Sequence, residues 1–395
     1  MTGVAPSPTT RDAAVAELQD AVRDAAGAGM PLRVLGGGTW EDAGRPVRAA
    51  RRVRTAAITG VVEYVPGDLT LTARAGTTLA ELHAVTRAEG QWLPLEPWGG
   101  DAGTLGATLA TATAGPTSGA VGLPRDVVLG VTVVDGSGAV VRGGGRVVKN
   151  VAGFDLVRLM VGAWGTLGVL TEATVRLRAL PETDETLALA APPAGHPATL
   201  DAWLARLRAL PIAPASLELV NEALARHLAL PAGARLLVRL AGNADAVAGQ
   251  REALAGLGDA APLPVDVWHR LRTAEPTGAA TLRLSAAPAR LAAPWQEGRR
   301  IAGALAGGAE ALVHASLARG VVRLIVPVGP SEAALAAAVG TRAADGVHRV
   351  FERLPVALWP QLTGGAADDP LSRGVRRAFD PHLVLNPGIL GEPSA

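Results

Sequence analysis

Leu32-Arg33-Val34-Leu35-Gly36-Gly37-Gly38-Thr39 decides how the first half of this 395-residue chain is read. A short apolar strand, 32–35, runs without a break into three glycines and a threonine. Such a run lacks Cβ atoms. It can take positive φ, approach a phosphate closely and present consecutive backbone N–H groups to it. Gly143-Gly144-Gly145 is a second triple-glycine run, read here as a turn, so the first run needs company before it means a site.

Working outward, residues 11–29 carry Val15, Leu18 and Val22 on one face and read as an amphipathic helix ending near Gly27 or Gly29. Downstream, 58–65 and 69–75 read as strands joined across Pro66-Gly67-Asp68, and Thr78 with Glu81 forms a capping box for a helix over 79–90. Residues 99–122 are rich in Gly, Ala and Thr, which suits either a backbone lining an extended ligand or a plain glycine-rich loop. A hairpin follows, with strands 127–134 and 139–141 around Asp135-Gly136-Ser137-Gly138. Gly162-Ala163-Trp164-Gly165-Thr166-Leu167-Gly168 then leads into a strand over 169–177, and Leu180-Pro181-Glu182 reads as a boundary. Beyond it, strands at 185–191, 217–220, 235–240, 280–284, 311–317 and 321–327 alternate with helices at 199–210, 245–257 (capped by Asp245), 295–306 and 331–338. That order predicts an α+β layer with helices on one sheet face.

Composition narrows the chemistry. Hydrophobic residues make up 49% and charged residues 18%, enough apolar side chain for two cores in a chain of this length. The formal net charge is +1 with no basic block, which argues against nucleic acid as a partner. No apolar run reaches the roughly 18 residues of a membrane span, and the first twelve residues show no secretory pattern, so a cytoplasmic protein is expected. With no cysteine there is no thiolate nucleophile and no ordinary iron–sulfur ligation. Lys149 is the only lysine among 37 basic residues, and it stands beside Asn150, one of four asparagines with Asn221, Asn243 and Asn386. G-x-G-x-x-G after a strand, Walker A, G-x-S-x-G and H-E-x-x-H are all missing, which removes the usual nucleotide, hydrolase and zinc-protease readings. Trp92, Trp98 and Trp164 suit either an aromatic cofactor or a core, and His83, His196, His227, His269 and His348 stand alone.

Taken in order, the segments of roughly 30–178 resemble the FAD-binding fold of the vanillyl-alcohol oxidase or p-cresol methylhydroxylase type. Within it they resemble the D-lactate dehydrogenase and glycolate oxidase group, and there the FAD-binding (E) subunits of bacterial glycolate oxidase. The residues that carry the resemblance are 31–39, Pro66–Thr77, Leu93-Pro94-Leu95-Glu96-Pro97, Thr104-Leu105-Gly106-Ala107, Arg125–Gly130, Val148–Leu156 and Gly165–Glu172, with Asp380-Pro381 and Asn386-Pro387-Gly388 at the end. The resemblance implies a two-subdomain FAD-binding domain over 1–182, an α+β cap domain over 183–345 and a tail, 346–395, returning to the FAD domain.

It also implies site roles. Gly36, Gly37, Gly38 and Thr39 would hold the FAD pyrophosphate, and Pro97, Thr104, Gly106 and Ala107 would line the flavin–ribityl stretch. Arg125 and Asp126 would belong to the same wall. Gly165, Thr166, Gly168, Val169 and Leu170 would approach the adenosine end or ribityl chain through main chain. Lys149 and Asn150 read as a polar brace. Relatives with covalent flavin carry a histidine after the first glycine loop. Thr39 stands there in this sequence, so non-covalent FAD is expected.

Longer catalytic relatives carry a metal-binding H-x-G-D-G-N-x-H run. The counterpart here is His314-Ala315-Ser316-Leu317-Ala318-Arg319-Gly320, which keeps one histidine and loses the acidic and amide groups, so no metal is expected. Read as a structural residue, His314 leaves no catalytic residue assigned. The first functional reading is an FAD-dependent oxidoreductase subunit of a glycolate (2-hydroxy acid) oxidase complex. Its partners would be a longer FAD-containing catalytic subunit and a cysteine-rich iron–sulfur subunit, and any membrane attachment would run through them. The alternatives are a stand-alone 2-hydroxy acid dehydrogenase of D-lactate type, with Arg270 or Arg272 clamping the carboxylate, and a non-catalytic flavin-stabilised scaffold.

Overall fold

A computed structural model describes residues 8–145, 155–192, 197–305, 310–363 and 369–391. Lys149 and Asn150 lie outside the described residues. The chain divides into two compact units, one of Met1–Ala114, Gly122–Leu180 and Gly364–Ala395, the other of Gly115–Val121 and Pro181–Thr363. The expected first domain therefore lends 115–121 to the second unit. The expected tail divides, 346–363 with the second unit and 364–395 with the first.

In chain order the first part contains α1 (Pro8–Ala28), β1 (Leu32–Leu35), β2 (Arg51–Arg54), β3 (Val61–Val65), β4 (Thr70–Arg74), α2 (Leu79–Arg87), β5 (Gln91–Trp92), α3 (Leu105–Thr111), α4 (Ser118–Val121), α5 (Pro124–Val127), β6 (Val128–Val134), β7 (Val140–Gly144), α6 (Leu156–Met160), β8 (Val169–Arg176) and β9 (Arg178–Ala179). β1 and β2 pair in parallel, while β3-β4-β8-β6-β7 form an antiparallel five-stranded sheet and β5 pairs with β9. β2 was not expected, because Arg51-Arg52-Val53-Arg54 has the charge of a loop and earns its strand from pairing with β1. Gly143 and Gly144, expected in a turn, lie in β7. A Cβ on Gly144 would stand 2.1 Å from the Leu129 carbonyl oxygen, so the glycine permits close approach to β6.

Among the described residues the first unit holds two apolar clusters. One packs Leu71, Leu79, Leu82, Leu105, Leu109 and Leu170 on the five-stranded sheet. In the other, Leu18, Val22 and Ala25 of α1 meet Leu32, Val134, Val169, Val384 and Leu385. The tail enters this cluster as backbone too: the Leu32 amide donates to the Val384 carbonyl at 2.7 Å and the Asn386 amide to the Leu32 carbonyl at 2.9 Å. β1 thus gains on its second edge the hydrogen bonds that two strands alone leave open.

The second part contains β10 (Thr183–Ala190), α7 (Pro197–Arg208), β11 (Ser216–Val220), α8 (Glu222–His227), β12 (Arg235–Gly242), α9 (Ala244–Leu254), β13 (Ala260–Leu263), α10 (Val267–Arg272), β14 (Ala280–Ser285), α11 (Ala292–Ala304), β15 (Leu312–Ser316), β16 (Val321–Val326), α12 (Glu332–Val339), β17 (His348–Arg353), α13 (Trp359–Leu362) and α14 (Pro370–Phe379). α14 belongs to the first unit. The strands form one antiparallel sheet in the order β13-β10-β12-β11-β15-β16-β14-β17. α9 and α11 pack on it over a core that includes Leu236, Val238, Leu282, Leu284, Val313, Val322 and Leu324. Asn243, not Asp245, caps α9, its Oδ1 accepting the Ala246 amide at 2.8 Å.

Candidate functional site

The strand β1 delivers the chain into the glycine run, and the run lies on the loop that precedes α3. A Cβ on Gly36 would fall 2.4 Å from Thr104 Oγ1 and 2.8 Å from Ala107 Cβ. No side chain fits there. Ala102 approaches Gly37 through its carbonyl, Thr39 lies across from Gly103, and the Trp40 indole covers Gly99. Residues 36–40 and 99–107 therefore form one packed pair of loops.

The amides of Gly37, Gly38 and Thr39 have no acceptor among the described residues, and Gly37 and Thr39 are exposed. Gly38 holds φ at +89°, which keeps the run curled rather than extended. Three successive donors without acceptors in a curled, solvent-facing turn suit a phosphate or diphosphate. On that test the residues present fit the pyrophosphate of FAD.

The third expected segment joins the same assembly. Trp164 and Gly165 both have positive φ, 53° and 68°, and Thr166 closes their turn by donating from Oγ1 to the Ala163 carbonyl at 2.7 Å. The Gly162 and Trp164 amides donate to the Leu109 and Ala110 carbonyls at the end of α3, at 3.0 and 2.8 Å. Asn386 completes the link: its Oδ1 accepts the Val34 amide and its Nδ2 donates to the Trp164 carbonyl. Sequence reading placed Asn386 in a family segment without giving it a role. Its scarcity among the asparagines was the available signal.

The expected residues are not alike in what they offer. Thr104 is buried and spends its hydroxyl as the cap of α3, accepting the Ala107 amide and lying under Gly36. Gly106 is pressed against Ala75, whose carbonyl takes its amide at 2.8 Å. Pro97 is buried on the loop before Gly99. Val169 and Leu170 point into the two apolar clusters, and Gly168 lies against Val133, so this stretch offers main chain alone. Arg125 and Asp126 lie on α5, which packs against α3. Asp126 caps that turn through the Leu123 amide at 2.8 Å, and Arg125 is exposed.

The second unit carries a different kind of feature. Alternation along the strands turns Val313, Ala315, Val322, Leu324, Leu282 and Leu284 towards the helices, so Glu218, His314, Ser316, Arg323 and Arg283 stand on the other face. His314, Arg323 and Arg283 are direct register partners across three neighbouring strands. His314 Nδ1 lies 3.0 Å from Glu218 Oε2, and both side chains are inaccessible. Glu218 is 96 residues away in sequence, so the carboxylate beside His314 was invisible in its own strand.

Arg323 donates to Glu352 from Nε and Nη2, at 2.9 and 2.6 Å, and to Glu275 from Nη2 at 2.9 Å. Arg353 also pairs with Glu275. Burial opposes the charge on Glu275, yet Arg323, Arg353 and the Thr281 hydroxyl outweigh it and hold the carboxyl below its ordinary range. Arg270, expected as a carboxylate clamp, spends its guanidinium on the Leu228 carbonyl at 2.6 Å and Asp266 at 3.3 Å, and Arg272 is buried. Among the described residues no three His, Asp or Glu side chains gather as a metal site, and no helix is long and apolar enough to cross a membrane.

The chain is similar to known FAD-binding proteins. Residues 11–144 match the family described as FAD binding domain. Glycolate oxidase subunit GlcE of Escherichia coli strain K12 is 42% identical over 160 residues, 40% of this chain and 45% of that protein. Glycolate oxidase subunit GlcD of Bacillus subtilis strain 168 is 36% identical over 127 residues, 32% and 27% of the two chains. D-2-hydroxyglutarate dehydrogenase of Xanthomonas citri pv. viticola is 36% identical over 125 residues, 32% and 26%. The matched region thus spans less than half the length of these curated relatives. A solved structure of alkyldihydroxyacetonephosphate synthase superposes with a TM-score of 0.66 at 16% identity, covering 94% of this chain and 75% of that one. That likeness shows the fold, which is α+β and of the p-cresol methylhydroxylase type.

Proposed function

We propose that this chain, an FAD-binding protein through residues 11–144, is the flavin-holding subunit of a complex that oxidises glycolate or a similar 2-hydroxy acid. The observation that carries the reading is the row of unpaired amides at Gly37, Gly38 and Thr39, set in a domain of this family and accompanied by 42% identity to a glycolate oxidase subunit. FAD supplies the two-electron acceptor. The protein's part is to hold the diphosphate on the glycine run and to wall the rest with Pro97, Thr104, Gly106, Ala107 and the main chain of 165–170. Arg125 and Asp126 extend that wall. Thr39 has no ring nitrogen for attachment, so the cofactor is held without a covalent bond. Having no cysteine, the chain passes electrons to partners: a longer flavin subunit and a cysteine-rich iron–sulfur subunit.

The test is to purify the chain with and without these partners, record the flavin spectrum and add glycolate anaerobically. Yellow protein whose flavin bleaches only in the complex supports the subunit reading. Folded, colourless protein that takes up no added FAD removes it.

The 36% identity to a D-2-hydroxyglutarate dehydrogenase over 125 residues favours a second reading, a chain that oxidises a 2-hydroxy acid by itself. In that case the isolated, FAD-loaded chain bleaches on D-lactate or glycolate. No bleaching of the isolated wild-type chain rejects this reading and leaves the first intact.

A further inference from the structure

The glycine run is bordered by cations that its own sequence does not contain. β2 pairs with β1 in the register Leu35↔Arg54, which sets Arg54 beside the residue that enters the run. Its side chain then lies on the loop, and a methyl on Gly38 would stand 2.7 Å from Arg54 Nη1. Nη2 meets Glu41 Oε2 at 3.1 Å, whereas Nη1 has no acceptor among the described residues. Arg52 meets the other oxygen of the same carboxylate at 2.7 Å. One acid therefore serves two guanidinium groups, and a net positive charge remains next to three amides that lack acceptors.

We infer that Arg54 is a phosphate ligand of this site, donating from Nη1 to the FAD diphosphate that Gly37, Gly38 and Thr39 hold, with Glu41 keeping the guanidinium over the loop. The inference rests on the reading of the glycine run as the diphosphate cradle. A diphosphate bridge brings two negative charges. Backbone amides answer them with partial charges only, and an arginine adds a full charge and a directed donor. Arg54 is half exposed, so an incoming phosphate reaches it without opening the core. Glu41 is the shared counter-ion of Arg52 and Arg54. It stays paired with Arg52 when Arg54 Nη1 turns its donor to the ligand, so the acid is not stranded.

The test uses the full chain stripped of FAD, with FAD affinity measured by titration at several salt concentrations for wild type, Arg54→Gln, Arg54→Lys and Arg52→Gln. Arg54→Gln is expected to weaken binding about ten- to a hundredfold and to flatten the salt dependence. Arg54→Lys, keeping the charge without the fork, falls between. Arg52→Gln removes the same charge from the same carboxylate but lies off the loop, so its change stays within about threefold, the scale of a screened surface charge. Equal losses in Arg54→Gln and Arg52→Gln reduce the effect to general charge and overturn the inference, as does wild-type affinity in Arg54→Gln. If the wild-type chain itself takes up no FAD, the cradle reading fails first, and that result is distinct from the other two.

Discussion

Asn386 donates from Nδ2 to the Trp164 carbonyl at 2.7 Å while its Oδ1 accepts the Val34 amide at 2.8 Å. One side chain from the tail thereby fixes the spacing between the strand that feeds the glycine run and the turn at Trp164-Gly165. Trp164 sits at φ 53°, where a residue with a Cβ is strained. Its amide on Ala110 and its carbonyl on Asn386 keep it there.

Asn386→Ala is expected to leave the half-buried Val34 amide and Trp164 carbonyl unpaired and to cost about 2–4 kcal/mol, below the sum for two fully buried groups at about 1–3 kcal/mol each. Asn386 itself holds φ 44°, which adds to the loss in alanine. Urea unfolding measures the first effect, and FAD titration is expected to show weaker binding because the two loops lose their common brace.

Leu385→Ala tests the tail as core rather than as brace. Leu385 is fully buried among Leu18, Val22 and Leu32, and truncation is expected to cost about 2–5 kcal/mol. At a temperature where both variants are folded, FAD affinity should fall less in Leu385→Ala than in Asn386→Ala. The reverse order would show that the loops do not depend on the asparagine.

Gly36→Ala is a purely steric experiment, because Gly36 does not have positive φ. The added methyl would collide with Thr104 Oγ1 and Ala107 Cβ, so the run must lift from α3. Lower flavin occupancy and a lower Tm are expected. Thr104→Ala in the same chain should recover only part of both, because the contact with Ala107 remains.

Glu275 sets an acid limit on the second unit. Its carboxyl is held below the ordinary value of 4.5, because Arg323 and Arg353 outweigh the burial that opposes its charge. The stabilisation is therefore complete above the unfolded value and is lost as pH falls through the depressed folded one. Glu275→Gln is expected to be less stable by about 3–5 kcal/mol at neutral pH, with Arg323 left short of a counter-charge. Between pH 4.5 and lower values its stability should fall less steeply than that of the wild type, as read by thermal melting across the range.

The sequence by itself determined the local features of this protein. Glycine runs, the Pro66-Gly67-Asp68 turn, the Thr78–Glu81 box and the hairpin at Asp135–Gly138 depend on residues within a few positions of one another, and the order of such segments carried the FAD-binding resemblance. Retention of rare residues was also legible in part. The three described asparagines each hold a cap or a bridge: Asn221 on α8, Asn243 on α9 and Asn386 between loops. Only the tertiary structure decided what depends on partners far apart in the chain. Arg51–Arg54 became a strand, and Arg54 a neighbour of Gly38, through pairing with β1. His314 acquired Glu218, and Val34 acquired Asn386. Alternation and turn chemistry are written in adjacent residues, but an edge strand, a buried ion pair and a loop brace draw their stability from groups that folding alone brings within hydrogen-bonding distance.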